Sequence, residues 1–114
     1  MSSVTDPKRG IGAARTWVLR KFKDYAKNTD GRMEAFLQNQ IIQPDGKRID
    51  KPTDLGNPVA ILRGTDPNDK RIFMISGHLD SRVSDVMNSK DNAPGANDDG
   101  SGTAAVIEKC QNSE

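Results

Sequence analysis

Residues 77–100 form a long polar stretch of Asp, Asn, Ser and Gly, interrupted by large apolar side chains only at Leu79, Val83, Val86 and Met87. A segment of this length with no apolar periodicity reads as a loop, and loops so long inside compact domains are functional or disordered. Core building is left to the rest of the chain, whose stock is small. Hydrophobic residues make up 33% of the sequence and aromatics 4%, which is lean for a free-standing α/β domain that must offset chain entropy by burial. An undersized core is expected.

At 114 residues the chain has room for one domain. Its 17 Lys and Arg face 16 Asp and Glu, for a formal charge of +1 with the signs interspersed. That balance argues against nucleic acid or an anionic membrane as the main partner. No apolar run reaches the roughly 18 residues that a membrane span needs, and the polar start MSSVTDPKRG has no apolar run of a signal peptide, so no export address is expected. The one cysteine, Cys110, has no second thiol for a disulfide or a CxxC site.

Over residues 10–27, apolar side chains at Ile11, Ala14, Trp17, Val18, Phe22, Tyr25 and Ala26 follow a three-and-four spacing, which predicts an amphipathic helix. Arg15, Arg20, Lys21, Lys23 and Lys27 are assigned to its solvated face. After the break at Asn28, Thr29, Asp30 and Gly31, residues 32–43 and 47–49 flank Pro44, Asp45 and Gly46. Pro presets the first corner of a turn and Gly accepts positive φ, so a β-ribbon around that turn is expected. Residues 59–62 and 71–76 read as neighbouring strands of a hairpin, with Pro58 at the start of the first. Residues 101–110 turn helical, with Ala104, Ala105, Val106 and Ile107 as the buried side and Ser101 or Asp99 as the cap.

The single histidine, His78, stands just past the second of those strands, with Asp80 two residues on. Side chains leaving the carboxyl end of a strand in an α/β sheet face the crevice where ligands bind. A lone histidine is more often a hydrogen-bonded structural residue than a ligand. Further along, Asp98 and Asp99 sit side by side among small residues at a helix start. Their repulsion can be relieved by a divalent cation, or the pair can serve as an acidic helix cap that binds nothing.

The string Ile75, Ser76, Gly77, His78, Leu79, Asp80, Ser81, Arg82, followed after a loop by residues 93–105 (APGANDDGSGTAA), resembles the signature of the M28 zinc aminopeptidases. The resemblance reaches back through residues 64–67 to the first helix. It implies that residues 1–114 are the N-terminal part of a single M28-like peptidase domain. The implied fold is α/β, a partial α/β/α sandwich on a mostly parallel mixed sheet, as in phosphorylase/hydrolase-like zinc peptidases, here truncated. His78 would ligate one zinc and Asp98 would bridge two Zn2+ ions, while Asp80 would orient the ring of His78. The peptide bond between Asp98 and Asp99 would be cis.

The family's later elements, a Glu pair supplying the general base and a ligand, then a further Asp and His, have no counterpart assignable in this sequence. The chain is thus expected to be a fragment of a dinuclear zinc exopeptidase acting on peptide substrates, inactive by itself and prone to self-association. The complete enzyme would be secreted or periplasmic. Pro58, where relatives carry an apolar residue able to donate to the sheet, puts the pairing of its strand in question. Two other readings are a non-catalytic M28-like relative or binding domain, and a calcium loop. The second rests on Asn97, Asp99, Ser101, Gly102 and Glu108 in an EF-hand-like pattern, against an Asn at its first position and a preceding stretch that cannot be an entering helix.

Overall fold

The computed structural model describes residues 5–88 and 90–113. Helix α1 (Gly10–Ala26) leads into strand β1 (Met33–Ile42), strand β2 (Thr53–Leu62), a long coil, one wide turn at Ala96–Gly100 and helix α2 (Ser101–Gln111). The sheet has two strands paired antiparallel, from Met33 opposite Leu62 to Ile42 opposite Thr53. This is a small α/β arrangement. The mostly parallel mixed sheet that the resemblance implied is not found among the described residues.

The reversal from α1 into β1 is local chemistry. Thr29 donates its hydroxyl to the carbonyl of Ala26 at 2.7 Å and accepts the N–H of Met33 at 3.0 Å. Asp30 and Gly31 adopt φ of 51° and 81°, the left-handed region that a chain enters when a helix turns sharply into a strand.

The expected ribbon around Pro44, Asp45 and Gly46 is replaced by a longer connection, with β1 pairing to β2 instead of to residues 47–49. Asp45 Oδ1 accepts the N–H groups of Lys47, Arg48 and Ile49 at 2.9, 2.8 and 2.9 Å. Those donors would otherwise have served a ladder. The same bonds, Ile49 first, hold the Asp45 carboxyl down to about 2.

The hairpin expected between residues 59–62 and 71–76 is also corrected. Val59 to Leu62 face Phe36 to Met33, and residues 71–76 form no strand. Without a partner strand their apolar side chains lie in solvent: Ile72 is 93% exposed, Phe73 85% and Met74 90%. Pro58 does not interrupt its strand, which pairs through it opposite Leu37. Alternate residues of an antiparallel strand turn their N–H away from the partner, so a missing donor there need cost no ladder bond.

Helix α1 packs on both strands and touches α2. The buried apolar side chains are Val18, Phe22 and Met33, and Cys110 of α2 sets its Sγ 3.7 Å from Met33 Sδ. Burial pushes the Cys110 thiol upward. Arg15, expected on the solvated face, is buried instead. Its guanidinium donates to the Asp54 carbonyl at 2.9 Å and the Asp54 carboxylate at 2.8 Å. Gly56 leaves room for it, since a Cβ there would stand 2.9 Å from Arg15 Nη1. Trp17, placed by periodicity on the apolar face, is half-exposed with Lys21 over its ring. Helix α2 has no buried residue; Val106 and Ile107 are half-buried, while Ala104 and Ala105 face solvent.

With so few buried side chains, each carries a large share of stability. Phe22→Ala is expected to cost about 3–5 kcal/mol, comparable with the whole margin of a small domain, and to abolish a cooperative urea transition followed by far-UV circular dichroism. Trp17→Ala should cost less than about 1 kcal/mol. Equal effects of the two would refute this placement of the core.

Candidate functional site

The coil after residue 76 is brought back against the start of α2. His78 Nε2 lies 2.9 Å from Asp98 Oδ1, and the ring's other nitrogen, Nδ1, lies 3.0 Å from the Asp80 carbonyl and 3.4 Å from the Asp80 carboxylate. His78, Asp80 and Asp98 therefore meet as a group. Asp80 reaches the ring through its main-chain oxygen more closely than through its carboxylate. The three residues border an open cleft that Arg82 and Pro94 also line.

Small residues make this approach possible. Gly100 donates to the Gly95 carbonyl at 2.8 Å and closes the wide turn, within which the Asp98–Asp99 peptide is cis, as the family resemblance implied. Ser81 donates its hydroxyl to the Ala93 carbonyl at 2.8 Å and ties the two arms of the long loop together. Of the two residues expected as cap, Asp99 accepts the N–H of Gly102 at 3.2 Å, while Ser101 donates to the Asn97 carbonyl at 3.3 Å. Asp99 also accepts the N–H of His78, and Thr103 donates to the His78 carbonyl. Neither contact was foreseen from sequence. The one available signal was the glycine on each side, Gly77 and Gly102.

The hydrogen bond to Asp98, then the Asp80 carbonyl and the nearby carboxylate charges, hold the His78 pKa above its ordinary value of 6.5. Two acceptors facing the two ring nitrogens favour the doubly protonated imidazolium.

A metal would compete with that proton. Two donors each ~2.0–2.1 Å from a tetrahedral zinc stand ~3.3 Å apart, against 2.9 Å between Nε2 and Oδ1. The pair fits zinc after opening by a few tenths of an ångström. Imidazole and carboxylate are also donor types that zinc accepts. Among the described residues, however, no group of three or more His, Cys, Asp or Glu is arranged to hold a metal ion. Two carboxylates of the calcium-loop pattern are engaged elsewhere. Asp99 is turned onto the N–H groups of His78 and Gly102, and Glu108 lies in α2 beside Asn112.

Peptidase family M28 matches residues 57–112, which contain all of this site. The chain belongs to that family of zinc peptidases. A "Probable zinc metalloprotease" of Pyricularia oryzae is 47% identical over 108 residues, covering 95% of this chain and 21% of that protein. Another of Leptosphaeria maculans is 46% identical over 99 residues, covering 87% and 22%. A third, of Pyrenophora teres f. teres, is 44% identical over 109 residues, covering 95% and 23%. The chain thus spans about a fifth of the length of these curated relatives. No solved structure matches it. No helix among the described residues is long and apolar enough to cross a membrane.

The raised pKa gives a pH signature in the metal-free chain. The His78–Asp98 contact contributes fully below the unfolded value near 6.5 and is lost as pH rises through the higher folded value. An NMR titration of the His78 ring should give a midpoint above 6.5, and Asp98→Asn should move it downward. An unchanged midpoint in that variant would show that Asp98 does not hold the ring.

Proposed function

We propose that this chain supplies the first metal-binding segment of a dinuclear zinc exopeptidase that removes amino acids from the N-terminus of peptides. In this reading His78 would hold one zinc, the Asp98 carboxylate would be shared between two, and Asp80 would orient the ring of His78. The observation that carries it is the 2.9 Å approach of His78 Nε2 to Asp98 Oδ1 across a polar loop, between residues twenty positions apart. Family membership and the names of the relatives support the same chemistry. Zinc supplies Lewis-acid polarisation of a peptide carbonyl and an acidified water at neutral pH.

The chain's own residues do the preparatory work. The Asp80 carbonyl accepts a hydrogen bond from Nδ1–H, which would leave Nε2, the nitrogen facing Asp98, to give up its proton to a metal. The complete enzyme, on this reading, is an α/β/α sandwich with a mostly parallel mixed sheet, works outside the cytoplasm and takes peptides as substrate.

By itself the 114-residue chain binds zinc weakly and turns over no substrate. A catalytic zinc takes about three protein ligands, and His78 and Asp98 are two. No described glutamate stands ready as a base: Glu34 pairs with Arg63 and Glu108 lies beside Asn112. An assay of the purified chain with zinc and a panel of aminoacyl p-nitroanilides should show no hydrolysis. Turnover that a chelator and His78→Ala both abolish would overturn this.

The chain also associates with itself through residues 72–75, where Ile72, Phe73, Met74 and Ile75 are all exposed. Sedimentation velocity should show concentration-dependent oligomers that Phe73→Lys reduces. A monodisperse monomer at high concentration would contradict it.

A further inference from the structure

We infer that Asp99 and Thr103 are positioning residues for His78, two side chains at the start of α2 that grip its main chain from both sides and set where its imidazole meets Asp98. The inference rests on the reading of His78 and Asp98 as metal ligands. Residues 71–83 belong to no strand or helix, so no ladder fixes the main chain of His78. What fixes it comes from Asp99, in the wide turn before α2, and Thr103, in the first turn of α2.

Asp99 Oδ2 accepts the N–H of His78 at 3.1 Å, and its other oxygen, Oδ1, accepts the N–H of Gly102 at 3.2 Å. One carboxylate thereby joins the histidine's backbone to the helix. Thr103 Oγ1 donates to the His78 carbonyl at 3.0 Å. Both polar groups of the His78 main chain are held by side chains four residues apart in sequence.

Packing supports the same grip. A Cβ on Gly77 would stand 2.8 Å from Gly102 C and from Thr103 N, and a Cβ on Gly102 would overlap the Asp99 carboxylate. The two backbones touch where no side chain could fit. Because Asp99 directly follows Asp98, adjacent residues supply the partner of the imidazole and the anchor of its main chain.

Contacts of this kind behind a metal ligand are worth about ten- to hundredfold in affinity. The test uses the 15N-labelled 114-residue chain and three variants. Thr103→Val keeps the shape and loses the donor. Thr103→Ser restores the donor. Asp99→Asn leaves one oxygen where the grip needs two. The readouts are the exchange rate of the His78 amide in the metal-free chain and zinc affinity, followed through the ring signals of His78.

Thr103→Val and Asp99→Asn are expected to speed amide exchange roughly five- to tenfold and to weaken zinc about ten- to hundredfold, with Thr103→Ser close to the parent chain in both. Wild-type exchange and affinity in the first two variants would overturn the inference. Faster exchange with unchanged affinity would also overturn it, reducing the contacts to local structure. If zinc moves no His78 signal in the parent chain, the metal reading itself falls, and the positioning inference that rests on it falls with it.

Discussion

The buried guanidinium of Arg15 ties the helical layer to the sheet. It crosses from α1 to β2, bonds both the carbonyl and the carboxylate of Asp54, and passes over Gly56, where a larger residue would block it. Asn39 of β1 closes the other side of the same carboxylate at 3.1 Å. One acidic group is therefore shared by three elements, and it is held below the usual carboxylate range by Arg15 first and Asn39 second. Removing either charge would leave the other in a partly dry place without its partner, which is the costly way to break such a pair.

Around that tie the apolar core is thin. Val18, Phe22 and Met33 are its buried members, and α2 joins it edge-on through Cys110 with no buried residue of its own. The site consequently does not depend on a deep core. Its parts are held by short polar contacts and close glycine backbones: Ser81 to Ala93, Gly100 to Gly95, and the start of α2 against residues 77 and 78. A loop made this way can be polar throughout and still present His78 and Asp98 at a defined separation, because each bond is made by a neighbour only a few residues from one of the two.

Much of the site was legible in the linear sequence. His78, Asp80 and Asp98 stand out as the sole histidine, its near neighbour and one of two adjacent carboxylates, and the structure brings the three together. The role of Asp99 was half legible. Its position before a helix marks a cap, which it is for Gly102, but its bond to the amide of His78 joins positions far apart in sequence and leaves no local pattern. Periodicity located α1 and failed on the partners of individual residues. Arg15 reads as surface by its charge, yet it is buried because Asp54 lies across from it.

Local chemistry by itself determined the helices, the break at Asp30 and Gly31, and the polar character of the loop, since caps, turn residues and apolar spacing act within a few residues of one another. Only the tertiary structure decided which strand pairs with β1, the fate of residues 71–76, and the distance from His78 to Asp98. Strand pairing depends on which partner is present and in what register. Asp45 removed the nearer candidate for β1 by taking its N–H groups, so the pairing passed to Thr53–Leu62.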